Sequence, residues 1–124
     1  MSLLLDTHVL LWWLAGTDLD PRTVERIADP AELVAVSAAS IWEAGVKGAL
    51  GKLKVPGSLA AAVAAEGFTP LPISLDHAEN AGALPPHHRD PFDRMLIAQA
   101  RAERLTIVTH DPAFRDYDVD LLTI

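Results

Sequence analysis

Short apolar runs alternate along the chain with longer segments of helical rhythm, and the changes of rhythm mark out the elements. The run Ser2 to Asp6 (SLLLD) is apolar on both alternating faces and ends on a charge, which predicts a buried strand. A helix is predicted from about His8 to Ala15, stopped by Gly16, and Asp20-Pro21 opens a second by setting a cap residue before a first-turn proline. Glu32 to Val36 predicts a second strand. SAASIWEAGVKGAL, with Ser37 in capping position, predicts a helix to about Leu50, and a turn rich in Gly and Lys follows. An Ala-rich helix (GSLAAAVAAEG), a short strand from Leu71 to Ser74 and a helix from Asp76 to about Leu84 lead into the loop PPHHRD. The long helix PFDRMLIAQARAERL then starts with Asp90 as cap and Pro91 at its first position. TIVT is the next strand, DPAFRDY a turn or short helix, and Val119 to Ile124 a last edge strand. Strands alternating with helices predict βαβ units, and hence an α/β fold whose central, mostly parallel sheet carries helices on both faces.

That topology gives the charges a place. In an open parallel sheet the functional crevice lies at the carboxyl ends of the strands. Asp6 and Asp111 end strands, Glu43 lies about two turns into the helix after the second strand, and Asp93 lies in the first turn of the long helix. Four carboxylates are thus expected at one edge. Singly, three have ordinary explanations: Asp111 caps a short helix before Pro112, Asp93 favours a positive helix end, and Glu43 pairs with Lys47 four residues on across a solvated face. Asp6 does not, because apolar sequence on both sides puts it at the edge of the core, where an unpaired carboxylate is costly. Four like charges at close range raise one another's pKa or require a cation. A donor set of carboxylates without cysteine favours Mg²⁺ or Mn²⁺ over Zn²⁺, and such sites serve phosphoryl chemistry.

Composition narrows the picture. The chain has 124 residues, half of them hydrophobic, which suits one compact domain over 1–124. The absence of cysteine excludes disulfides, a thiolate nucleophile and Cys-ligated zinc. No signal peptide and no apolar run of 18 residues is evident, so a soluble cytoplasmic protein is expected. A net charge of −7 opposes sequence-independent binding of nucleic acid, although a metal ion at the acidic cluster would cancel part of it. All three lysines fall within KGALGKLK, and Arg89 and Arg94 flank the acids of the long helix. Lys47, Arg89 and Arg94 are the candidates for guiding a phosphate backbone, while Lys52 and Lys54 belong to a solvated turn.

Other polar and aromatic residues have plainer expected roles. His87-His88 resembles a metal pair only superficially, because adjacent loop residues tend to point apart and no third ligand has the spacing. His8 and His110 neighbour proposed acids and are expected in peripheral packing. Ser37, Ser40 and Thr109 are expected as caps or strand-end hydroxyls, with a secondary role in orienting carboxylates. Trp12 and Trp13 point about 100° apart on a helix, which calls for either a wide core face or a partner. Trp42 is expected in the core.

Taken in order, LLLDTHVLLWWL, VSAASIWEAGVKGALGKL, DPFDRMLIAQA and TIVTHD resemble the PIN-domain ribonucleases, and among them the VapC-type toxins of toxin–antitoxin systems, over nearly the whole chain. The resemblance implies a metal site of Asp6, Glu43, Asp93 and Asp111 at which Mg²⁺ or Mn²⁺ activates water to cleave RNA, with Asp6 and Asp93 as direct ligands and Asp111 more peripheral. Asp90 either joins that site or only caps the helix. The resemblance also implies a homodimer and a VapB-like antitoxin whose tail covers the active site. A haloacid dehalogenase-type phosphatase fits poorly, since its second acid would fall at His8; a receiver domain needs a central acid ending a strand, whereas Glu43 is helical. The alternative from another class is a PIN fold kept as a catalytically silent module for RNA binding or protein interaction.

Overall fold

Leu3, Leu4 and Leu5 are completely buried, which only a strand covered on both faces achieves. The computed structural model describes residues 2–55 and 57–124. The elements run β1 (Ser2–Leu5), α1 (Thr7–Ala15), α2 (Pro21–Ala28), β2 (Leu33–Ser37), α3 (Ala38–Ala49), α4 (Leu59–Ala65), β3 (Thr69–Leu71), α5 (Leu75–Ala83), α6 (Pro91–Glu103), β4 (Thr106–Thr109), a 3-10 helix (Pro112–Asp116) and β5 (Leu121–Thr123). Among the described residues the five strands form one sheet in the order β3-β2-β1-β4-β5, with every pairing parallel. The expected α/β fold is therefore present, and its sheet is wholly parallel.

The period-two alternation of the strand divides the core. Leu3 and Leu5 face one layer with Val9 and Leu10 of α1, Ile27 of α2, Val63 of α4 and Val108 of β4. Leu4 faces the other with Leu96, Ile97 and Ala100 of α6, Ile107 and Phe114. β1 lies between β2 and β4, with Leu4 opposite Ala35 on one side and Ile107 on the other. The neighbouring strand ends thereby bring Ser37, Asp6 and Thr109 to one edge.

Several boundaries differ from expectation. The strand expected at Leu71 to Ser74 is β3, at Thr69–Leu71, because Ser74 instead caps α5. Its hydroxyl accepts from the His77 backbone N–H while His77 Nδ1 accepts from the Ser74 N–H, a reciprocal cap that the apolar pattern conceals. β5 is confined to Leu121–Thr123, and β2 takes in Ser37, whose side chain accepts from the Ala39 N–H to start α3. Gly16 closes α1 in the left-handed conformation (φ 71°), as glycine does without steric cost. Trp42 is not in the core: it is 64% exposed, its indole edge-on to Phe92 at 4.9 Å, because α3 turns Glu43 inward and the preceding residue outward.

Candidate metal centre

Asp6 stands where the N-cap of α1 should be, yet its side chain caps nothing. Its carboxylate accepts a 2.7 Å hydrogen bond from Thr109 Oγ1 at the end of β4, and the residue is only 5% exposed. The next residue, Thr7, donates from Oγ1 to Glu43 Oε1 at 2.6 Å, so the first turn of α1 orients the acid of α3. Glu43 also pairs with Lys47, as the spacing predicts, but at 2% exposure it belongs to no solvated face.

On the opposite wall Asp90 caps α6, its Oδ1 accepting from the N–H groups of Phe92 and Asp93. This sets Asp93, 8% exposed, at the rim of the buried acids, with its Oδ2 2.7 Å from His88 Nε2. Asp111 caps the 3-10 helix, its Oδ1 accepting from the Ala113 N–H, while its Oδ2 faces His88 Nε2 at 4.0 Å. Asp6, Glu43, Lys47, His88, Asp90, Asp93 and Asp111 line one cleft of about 510 Å³, with His8, Trp12 and His110 at its mouth. A larger concavity of about 860 Å³ between α2 and the end of β5 shares no residue with it.

The electrostatics follow from burial and crowding. Burial, then the charges of Asp6 and Asp90, push the Asp93 carboxyl up to about 7, against the hydrogen bond from His88. Burial likewise raises Asp6, opposed chiefly by the Thr109 hydroxyl. Lys47 is held above its ordinary value, first of all by its hydrogen bond to Glu43. Five carboxylates thus face one lysine and three imidazoles in a recessed space, an excess of negative charge that a divalent cation would relieve. The donor set fits such an ion: ligand atoms of Asp93, Asp111 and His88 lie within 4.8 Å of one another, and Asp6 and Glu43 line the same cleft.

The remaining sequence candidates fall elsewhere. Arg94 turns away from the cleft, and its guanidinium donates to the carbonyls of Ala81, Gly82, Leu84, Pro85 and His88, fixing the end of α5 to the loop before α6. It is a structural clamp and not a lining residue. Arg89 is exposed, outside the cleft lining. Trp12 reaches the cleft mouth, its ring 6.1 Å from both His8 and His110, while Trp13 packs against Phe68. Both indoles border a second groove, of about 330 Å³, with Gly16, Thr17, Asp18, Leu19 and Val24. His88 enters the acidic cluster against expectation. The signal lay in PPHHRD only as an imidazole two residues before the Asp90 cap; contacts from Tyr117 and Arg94 place it.

A parallel α/β sheet with an acid-lined cleft at its strand ends defines a broad class of open α/β folds. Within it, the family model described as PIN domain matches residues 3–120, and the chain belongs to that family. No curated protein matches it in sequence. The chain is similar in structure to VapBC2 from Rickettsia felis bound to a promoter DNA fragment (TM-score 0.69, 17% identity, covering 99% of this chain and 98% of that one). It is also similar to DNA-bound VapBC from Salmonella typhimurium (0.68, 15%, 99% and 98%) and to FitAcB from Neisseria gonorrhoeae (0.62, 20%, 98% and 96%). Among the described residues no helix is long and apolar enough to cross a membrane.

Proposed function

We propose that this PIN domain, taken as one unit over 1–124, is a VapC-like endoribonuclease toxin that needs Mg²⁺ or Mn²⁺ and is silenced by a VapB-like antitoxin. The observation that carries the reading is the meeting of Asp6, Glu43, Asp93 and Asp111 in one cleft, where burial and then the neighbouring charges lift Asp93 to about 7. A bound divalent ion supplies Lewis-acid activation of water and neutralises charge on the scissile phosphate. Asp6 and Asp93 hold that ion directly, Thr109 and Thr7 fix the directions of Asp6 and Glu43, and the more open Asp111 acts at the mouth. Lys47, beside Glu43 in the lining, offers the ammonium nearest to an incoming phosphate.

The structural neighbours named VapBC support a VapB-like protein partner. The groove of Trp12 and Trp13 shares Trp12 with the acidic cleft, so a peptide seated there would extend over the acids. A homodimer working in the cytoplasm completes the proposal.

The test is cleavage of pooled cellular RNA by the partner-free protein with Mg²⁺, Mn²⁺ or EDTA, beside an Asp6→Asn, Asp93→Asn protein purified identically. Discrete fragments requiring both metal and acids support the nuclease. Mn²⁺ binding without cleavage under any of these conditions favours the silent interaction module instead.

A further inference from the structure

The loop before α6 is held as a ligand-bearing loop would be. The His88 N–H donates to Tyr117 Oη at 2.8 Å, and that hydroxyl donates onward to the Pro85 carbonyl at 2.7 Å. The His88 carbonyl accepts from Arg94 at 3.2 Å, and the imidazole stands edge-on to Phe114, with ring centres 6.2 Å apart. Backbone and ring are thus fixed from three sides, and the one nitrogen aimed inward, Nε2, meets Asp93 and Asp111. One atom from each of His88, Asp93 and Asp111 lies within 4.8 Å of the others. Ligands about 2.1 Å from a common ion lie up to about 4.2 Å apart, so the three donors need shift only slightly to share one.

We propose that His88 Nε2 is itself a ligand of the divalent cation, making the centre a mixed nitrogen–oxygen site that favours Mn²⁺ over Mg²⁺. This rests on reading the carboxylates as a metal centre and goes beyond it by adding a donor. Imidazole suits the transition metals, whereas Mg²⁺ prefers oxygen and gives up its waters reluctantly. A donor held by Tyr117, Arg94 and Phe114 needs little further ordering when the ion arrives. The opposing reading is that His88 only donates a hydrogen bond to Asp93 and orients it.

The two readings part in the pulsed-EPR spectrum of the full chain loaded with Mn²⁺. Strong ¹⁴N coupling, of the kind a directly bound imidazole gives, is expected in the unaltered protein and in His8→Ala and His110→Ala. It should vanish in His88→Ala, with His88→Gln as the second variant should the first fail to fold. Titration of His88→Ala with each ion should show the preference for Mn²⁺ over Mg²⁺ reduced about tenfold. Mn²⁺ bound through Asp6 and Asp93 without strong ¹⁴N coupling, or with coupling that survives the loss of His88, would overturn the inference and leave the carboxylate centre standing. Failure of the unaltered protein to bind Mn²⁺ would overturn both.

Discussion

Thr109 Oγ1 donates a 2.7 Å hydrogen bond to Asp6 Oδ2, joining the last residue of β4 to the residue after β1 across 103 positions of chain. The bond favours the charged carboxylate against the burial that raises its pKa. Replacing Thr109 by the similarly shaped Val should leave the fold intact and weaken Mn²⁺ binding about tenfold at neutral pH. Calorimetric titration measures this; unchanged affinity would show that the hydroxyl does not support the ligand.

Asp93 gives the metal-free protein a stability that depends on pH. Its carboxyl titrates near 3.8 in an unfolded chain and at about 7 in the fold, so between these values the native state keeps a proton that the unfolded state has lost. This contribution to stability is fully present below about 3.8 and is lost as pH rises through 7. In EDTA the Tm should therefore fall between pH 5 and 8, whereas saturating Mn²⁺, which competes with that proton, should flatten or reverse the fall. Parallel profiles in scanning calorimetry would contradict the assignment.

Lys47 partly stands in for a divalent ion beside Glu43. Its side chain is 28% exposed and that of Glu43 only 3%, so Lys47→Met strands a buried carboxylate while removing a charge that still touches water. A loss of about 2 kcal/mol is expected in EDTA, below the cost of breaking a fully buried pair. Mn²⁺ should recover more stability in the variant than in the unaltered protein, as urea denaturation with and without the ion would show.

Arg94 matters through geometry more than charge. A guanidinium reaches five carbonyls at the end of α5 and in the following loop, which the ammonium of Arg94→Lys cannot do. The substitution should cost about 1–2 kcal/mol and speed amide exchange at His88. Exchange unaltered at His88 would mean that Tyr117 alone holds the loop.

What the sequence showed and what it hid divide along physical lines. Asp6 was legible because a charge between two apolar runs has few tolerable places, and Asp93 because Asp90-Pro91 fixes the start of α6 locally. Leu3 to Leu5 announced a strand buried on both faces. His88 was not legible, since neither periodicity nor spacing governs a loop whose position depends on Tyr117, 29 residues away. Arg94 looked like a cleft residue because its neighbours in sequence are, but one position beyond Asp93 on a helix is a turn of about 100°. Trp42 failed the rule that large apolar residues are buried for the same reason: Glu43 took the inward face.

Arg104 ends α6 in the left-handed region at φ 56°, a conformation that strains any residue bearing a Cβ. Arg104→Gly should stabilise the fold by about 1 kcal/mol and raise the Tm by about 4 °C, without altering metal binding. A lower Tm would show that the arginine side chain contributes more than its backbone costs.

The span between Asp6 and Thr109 also orders events during synthesis. β1 leaves the ribosome before its partner β4, and the hydroxyl that steadies its acid follows about a hundred residues later. At several residues per second the growing chain passes many seconds with Asp6 made and its site unformed. The cleft closes only once β4 pairs with β1, so its chemistry belongs to a chain in which both strands are present and to no nascent piece that stops between them.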